Sequence, residues 1–144
     1  MTAVMETPGK QITFDWPLSL RQTEALDCLE DPAIREVLYG GAKYGGKSYF
    51  GCGWCCTEAL RIITEYGLTP ANPIKIGWMG RKQGSDFKNT TLDTWRKTIP
   101  QALYTIREQA QEIVVAGAAR IAYGGMDRQE DIDKFNSGEF AFAF

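Results

Sequence analysis

The chain alternates short apolar runs with longer segments in which apolar residues recur at helical spacing. Residues 36–39 and 74–79 are β-prone runs that end at a glycine, as buried strands commonly do. Residues 48–66 contain no proline, repeat apolar side chains at helical spacing, and are followed by Gly67, which predicts the helix end. This order of strand, helix and strand predicts an α/β fold with mostly parallel strands flanked by helices.

Two further helices have recognisable ends in the sequence. Ser19 and Gln22 have the spacing of a capping box, which predicts a helix that begins there and ends near residue 30. Residues 85–98 form the next predicted helix, and Pro100 ends it.

The remaining segments predict a hairpin, a loop and a last strand. Residues 112–125 read as two β-prone runs on either side of a turn at residues 116–118. Residues 127–139 are polar and predict a surface loop, and residues 140–144 predict a strand with its three phenylalanine rings on one face. Residues 1–13 are expected to form a loose lead-in to a single domain.

A glycine-rich stretch carries the clearest chemical signal. Residues 38–50 read LYGGAKYGGKSYF, in which Gly41 and Gly46-Lys47-Ser48 fit the phosphate-binding pattern G-x-x-x-x-G-K-[ST]. In such a loop the backbone N–H groups surround the phosphates of a nucleotide. Lys47 would neutralise the β and γ phosphates, and the Ser48 hydroxyl would bind Mg²⁺. A glycine-rich turn could match by chance, but the predicted flanking strand and helix favour the phosphate-binding interpretation.

Composition and charge exclude several classes of protein. The 144 residues are 44% apolar and 24% charged, as in globular proteins, and no apolar run approaches the ~20 residues of a membrane span. The N-terminal residues lack the features of a signal peptide, which favours a cytoplasmic location. The net charge of −2 gives no basic surface for nucleic acid, so DNA contact would need a local patch, another domain or an oligomer. The chain has no histidine, which excludes histidine-based catalysis.

Three of the four cysteines lie in the predicted helix after the glycine loop. Cys52, Cys55 and Cys56 are three and four positions apart and so share one helix face. Cys52 and Cys55 form a C-x-x-C, but no second pair follows at zinc-site spacing. We therefore expect buried thiols that pack the helix against the sheet.

Taken together, these segments resemble a known family. They are similar to the ATPase domain of the large terminase subunit of tailed bacteriophages. The similar segments are YGGAKYGGKS, a strand followed by GRK, a helix, a hairpin and GGMDRQEDIDKFNSGEFAFAF. The resemblance runs from about Phe14 to the last residue. It implies an incomplete P-loop NTPase fold with a β-hairpin insertion, and a motor that uses ATP and Mg²⁺ to move double-stranded viral DNA into the capsid. It also implies a homo-oligomeric ring that works with the portal protein and the small terminase subunit at the procapsid in the host cytoplasm.

The resemblance further implies a set of nucleotide-binding residues. They are Gly41, Ala42, Lys43, Tyr44, Gly45, Gly46, Lys47, Ser48, Tyr49 and Gln22. The resemblance also implies Lys47, Lys43 and Arg81 as catalytic candidates and Ser48 as the metal ligand. Lys43 stands where family members often have arginine, and it keeps the charge but not the planar fork that grips phosphate. Tyr44 is bulky where family members have small residues.

Two of these residues have alternative interpretations. Gln22 either reads adenine, as a glutamine upstream of the loop does in related proteins, or only closes its own capping box. Arg81 either reaches a γ-phosphate, in its own subunit or a neighbour's, or is a solvated loop charge.

The acids of the family's Walker B motif would follow the strand of residues 140–144. We therefore expect an N-terminal part of a longer protein, without the nuclease domain and with little hydrolysis of its own. The acidic residues Glu130, Asp131 and Asp133 are expected to be solvated rather than metal-binding. A helicase-like translocase and a nucleotide-binding module without turnover are the alternative functions.

Overall fold

The computed structural model describes residues 1–7, 10–40 and 46–144, and for residues 3–7, 10 and 11 it gives the backbone alone. Five predicted nucleotide-binding residues lie outside the described residues: Gly41, Ala42, Lys43, Tyr44 and Gly45. The other predicted site residues are all described.

The first strands form a hairpin where a loose lead-in was expected. Strand β1 (Thr2–Thr7) pairs antiparallel with β2 (Lys10–Asp15) in a separate two-stranded sheet. Phe14 and the following Trp16 are both buried, with 1% and 0% of their surfaces exposed. The prediction of a loose lead-in was therefore wrong, because these two rings anchor the hairpin to the core.

Five further strands form one mixed sheet. They are β3 (Ile74–Arg81), β4 (Tyr104–Arg107), β5 (Glu112–Val115), β6 (Ala119–Gly125) and β7 (Phe142–Ala143), in the spatial order β4-β5-β6-β3-β7. The α/β class and the β5–β6 hairpin are confirmed. The sheet is not mostly parallel, since β3 runs parallel to β6 and β7 while β4, β5 and β6 are antiparallel. Strand β4, which was not predicted, adds the second antiparallel pair.

The hairpin turn explains why this part of the chain could be predicted. Ala116 and Gly117 both have positive φ, 51° and 72°, and the Ala118 N–H donates to the Val115 carbonyl oxygen at 3.0 Å. Two consecutive left-handed residues match the twist of the flanking strands and so favour a tight hairpin.

Helices form close to the three predicted positions, and one more forms where a loop was predicted. They are α1 (Leu20–Glu30), α2 (Lys47–Tyr66), α3 (Gly84–Asp86), a π-helical turn (Phe87–Thr91), α4 (Leu92–Thr98), a 3-10 turn (Gln101–Leu103) and α5 (Gln129–Asn136). Gly67 caps α2 in the left-handed conformation at φ 62°, as predicted. The predicted helix over residues 85–98 is α3, the π-helical turn and α4 in succession. Helix α5 replaces part of the predicted loop over residues 127–139.

Helices cover both faces of the sheet. Gly77 and Trp78 are consecutive in β3 and so face opposite sides. The Phe142 ring lies against Gly77 and 5.5 Å from the Trp54 ring of α2, whereas the Trp78 ring lies 5.8 Å from that of Phe135 in α5. The α2 side carries the main core.

The last phenylalanines do not share one face. Phe144 lies against Gly51 of α2, on the same side as Phe142, but the Phe140 ring lies 5.9 Å from that of Trp78 on the α5 side. Phe140 precedes β7 and is not part of the strand, so the alternation that the sequence suggests starts only at Phe142.

The predicted strand before the glycine loop is absent. Residues 34–40 form neither helix nor strand, and the Leu38 side chain is 99% exposed. Preference for β structure reflects packing against neighbouring strands. No described strand pairs with this segment, so its β-prone residues form no strand.

Candidate functional site

The candidate phosphate site is built at the first turn of α2. Gly46 is the N-cap residue, with left-handed angles of φ 71° and ψ 12°, and Lys47 and Ser48 are the first two helical residues. The first N–H groups of a helix have no acceptor within the helix, and the positive end of the helix dipole lies there. The backbone at Lys47 and Ser48 therefore favours an anion.

The Gln22 side chain joins this turn to α1 through its two amide atoms. Its Oε1 accepts a hydrogen bond from the Ser19 backbone N–H at 2.8 Å, and Ser19 Oγ accepts from the Gln22 N–H at 3.4 Å. The capping-box interpretation is thus confirmed. The same side chain also donates from Nε2 to the Gly46 carbonyl oxygen at 3.2 Å. The contact of Gln22 with adenine stays a prediction.

The backbone conformation of residue 46 explains why glycine suits this position. Its φ of 71° lies in the left-handed region, which strains most other residues. A Cβ atom there would also lie 2.7 Å from Gln22 Nε2, so the end of that flexible side chain would have to shift. Backbone conformation therefore favours glycine here independently of any ligand.

Arg81 is the residue that the fold brings to the phosphate site from a distant part of the chain. It is the last residue of β3, and its Nη2 donates to Ser48 Oγ at 3.1 Å. Arg81 and Ser48 are both half-buried, and within the described part of the chain no carboxylate pairs with Arg81. Arg81 is therefore neither on a free loop nor directed into solvent.

Lys47 lines a cavity of about 1000 Å³ beside the site. Its other lining residues include segment 34–39, residues 140–144, and Phe50 and Trp54 of α2. The cavity is large enough for a small ligand.

Tyr49 packs against the N-terminal segment. Its hydroxyl donates to the Pro17 carbonyl oxygen at 3.2 Å, and its ring lies 6.5 Å from the buried Trp16 ring. Desolvation by burial raises the pKa of Tyr49. The Tyr49 side chain thus has a packing role in the structure, and its contact with a nucleotide stays a prediction.

The three clustered cysteines are buried packing residues, as expected. Cys52, Cys55 and Cys56 have no exposed surface and no disulfide partner. Burial raises the pKa of Cys52 and of Cys56 to about 12, and at Cys52 the nearby charge of Arg81 partly opposes that rise. These thiols stay protonated at neutral pH and are poor nucleophiles and metal ligands.

No cluster of metal-binding side chains occurs in the described ranges. Residues 1–7, 10–40 and 46–144 hold no group of three or more cysteine, aspartate or glutamate side chains placed to bind an ion. Glu130 and Asp133 of α5 are exposed, and Asp131 is half-buried with Lys134 at 3.8 Å. Ser48 is the remaining candidate for a metal ligand in this region.

Comparison with protein-family models, curated proteins and solved structures finds no match to this chain. Among the described residues, no helix combines the length and the apolar character that crossing a membrane requires.

The sequence predicted residues for the candidate site but not the contacts between them. Neither the bond from Gln22 to Gly46 nor that from Arg81 to Ser48 has a local signal. The tilted contact of the Tyr39 ring with Phe50, with ring centroids 5.3 Å apart, was also not predicted. A signal was present in this case, since aromatic residues stand on both sides of the glycine-rich stretch.

Proposed function

We propose that the turn from Gly41 to Ser48 binds the phosphates of ATP with Mg²⁺. We further propose that the chain is the ATP-binding part of a viral DNA-packaging motor of the large-terminase type. The observation that carries the first proposal is the hydrogen bond from Arg81 to Ser48 at the start of α2. This bond places the half-buried guanidinium of Arg81 beside Lys47 and Ser48, the residues that the motif assigns to phosphate and metal. Within the described chain, this guanidinium has no carboxylate partner.

The chemistry of the site follows from these positions. The α2 N–H groups and the Lys47 ammonium would hold the β and γ phosphates, and the Ser48 hydroxyl would hold the metal. Mg²⁺ would neutralise charge that develops on the phosphates during transfer to water. Because phosphoryl transfer depends mainly on positioning and charge, the residues of the turn would supply binding and orientation of ATP.

The motor function rests on the resemblance of the sequence to terminases, with double-stranded DNA, the portal protein and the small subunit as partners. A net charge of −2 means that DNA would contact a local basic patch or a surface formed by several copies. In a homo-oligomeric ring, ATP hydrolysis at this turn would be coupled to DNA movement.

A nucleotide-binding module without turnover is the second candidate, and one observation favours it. In the part of the chain that the structure describes, Ser48 Oγ bonds to Arg81 and to no carboxylate. A motor ATPase needs an acid to help hold the metal and to orient water. ATP binding without hydrolysis by residues 1–144 fits this arrangement.

Titration calorimetry of the purified chain with ATP·Mg²⁺ tests the proposal. Hydrogen bonds to charged groups contribute about 1.5–3 kcal/mol, so Lys47→Ala should weaken binding by at least about tenfold. Lys88→Ala removes an exposed lysine from the π-helical turn and is the matched control, with unchanged affinity expected. A wild-type chain that binds no ATP, or a Lys47→Ala variant that binds as well as wild type, would contradict the proposal.

Phosphate release separates the two candidates. Turnover that requires Lys47 and rises when double-stranded DNA is added would support the motor ATPase. ATP binding with no phosphate release in either condition would support the module without turnover.

A further inference from the structure

One face of the mixed sheet carries three cationic side chains around a single carboxylate. Side chains of cross-strand partners project to the same face, and Arg107 in β4 is the partner of Glu112 in β5. The Glu112 carboxylate lies 3.7 Å from Lys75 Nζ in β3 and 3.5 Å from Arg120 Nη1 in β6, and these two cations are cross-strand partners themselves. We call these four residues the cationic face.

The three cations of this face are accessible, whereas its carboxylate is not. The side chains of Lys75 and Arg120 are 45% and 32% exposed, and Arg107 is exposed as well. The Glu112 side chain is only 9% exposed. Among the described side chains, no carboxylate forms an ion pair with Arg107. The cationic face therefore carries a net charge of +2, although the whole chain carries −2.

The width of the cationic face suits a long anionic polymer. Arg107 in β4 and Lys75 in β3 are three strand spacings apart, which is about 14 Å across the sheet. A DNA duplex carries about one negative charge per 1.7 Å of its axis, so a segment of that length holds about eight phosphates. Two of the three cations are arginines, whose planar guanidinium can hold two phosphate oxygens at once.

The acidic helix α5 limits where such a polymer could lie. It contacts the same side of the sheet through the Phe135 ring, which lies 5.8 Å from that of Trp78 in β3. Its exposed Glu130 and Asp133 would repel a phosphate backbone. Strand β4 is the sheet edge farthest from β7, so we expect contact towards β4, with Arg107 as the outermost cation.

We infer that the cationic face binds the phosphate backbone of double-stranded DNA. This inference rests on the proposed DNA-moving function and names the surface through which the chain would contact its DNA. Contacts of cations with phosphate carry no sequence information, so this binding does not depend on the base sequence. Helix α2 packs on the other side of the sheet, so DNA on the cationic face would leave the candidate nucleotide site accessible.

Fluorescence anisotropy of a labelled DNA duplex at several salt concentrations tests this inference. Three phosphate contacts predict a slope of about −2.7 for log affinity against log salt, or about an 80-fold loss between about 20 mM and about 100 mM salt. Arg107→Ala should weaken binding by at least about fivefold at the lower concentration and reduce the slope to about −1.8, equally for duplexes of different sequence.

A second variant should change affinity in the opposite direction. Glu112→Gln removes the one negative charge of the cationic face and should strengthen binding by at least about threefold. A loss of folded protein cannot strengthen binding, so the opposite signs separate a DNA surface from an effect on stability.

Lys88→Ala is the matched control, because it removes an exposed lysine from the π-helical turn, in which Phe87 stacks on Tyr123. Tyr123 follows Ala122, the cross-strand partner of Glu112, and so faces the other side of the sheet. Affinity and slope should be those of the wild type.

The outcomes separate this inference from the proposed nucleotide site. Unchanged DNA binding in Arg107→Ala and Glu112→Gln, or a wild-type chain that binds no duplex at about 20 mM salt, would overturn the inference. Poly-glutamate that competes as well as the duplex at equal total charge would assign the face to an acidic protein partner and also overturn it. A chain whose DNA binding depends on the cationic face but which binds no ATP would overturn the nucleotide site alone.

Discussion

Replacing Gln22 by glutamate separates the two bonds that this side chain makes. Glutamate keeps an oxygen for the Ser19 N–H but cannot donate a hydrogen bond to the Gly46 carbonyl while it is ionised. If Gln22 only capped its helix, the added charge would gain from the amino end of α1, and burial of the carboxylate would be the only cost. If it also holds Gly46, the carboxylate faces a carbonyl oxygen and the change is more destabilising. The two interpretations therefore predict losses of stability of different size.

The size of the effect follows from the surroundings of the side chain. Gln22 is 6% exposed, so the variant loses a largely buried hydrogen bond and gains a poorly solvated carboxylate. Gly46 still accepts the Phe50 N–H at 2.9 Å, so its carbonyl oxygen is not left without a partner. We expect Gln22→Glu to lower the free energy of unfolding by about 1–3 kcal/mol. For a domain of this size the melting temperature would fall by about 3–10 °C.

Thermal unfolding followed by circular dichroism measures this change. Gln109→Glu adds the same charge at an exposed position in the turn before β5 and should shift stability by less than about 0.5 kcal/mol. A Gln22→Glu variant that melts at or above the wild-type temperature would show that the bond to Gly46 does not stabilise the fold.

Two further predictions concern the packing of α2. Burial raises the pKa of Cys52 and Cys56 to about 12, whereas an unfolded chain ionises its thiols near the ordinary value of about 9. The unfolded state therefore gains from ionisation first, and stability should fall between about pH 9 and pH 12. Denaturant unfolding with both residues changed to alanine should show a smaller decline, and an equal decline would refute the assignment. Gly53→Ala should destabilise by about 1–3 kcal/mol in the same assay, despite the better helix propensity of alanine, because its Cβ would lie 2.2 Å from the Trp16 ring. A more stable variant would contradict this packing.

Locally determined features could be predicted from the sequence. The capping box at Ser19 and Gln22, the end of α2 at Gly67 and the turn of the β5–β6 hairpin each depend on residues within a few positions of one another. Their physical causes are present in the short segment itself, namely a side-chain cap, a left-handed glycine and a twist-matched turn.

The features that depend on distant partners could not be predicted. The β-prone residues 36–39 lack a neighbouring strand, and α5 is short and packs through Phe135 on Trp78. In the site, Gln22 contacts a residue 24 positions away, and Arg81 one 33 positions away. Such contacts depend on how the elements pack, and a local pattern carries no information about that packing.

Amide chemical shifts during a titration with ATP·Mg²⁺ test the central claim most directly, because they locate the ligand on the chain. Our account predicts saturable shifts in the backbone N–H signals of Gly46, Lys47 and Ser48 and in the side-chain Nε–H of Arg81. Lys47→Ala should remove these shifts at the same ATP concentration. Saturable shifts confined to other regions, such as the cavity lining at Phe50 and Trp54, or no shifts at millimolar ATP, would contradict the assignment of this turn as a nucleotide site.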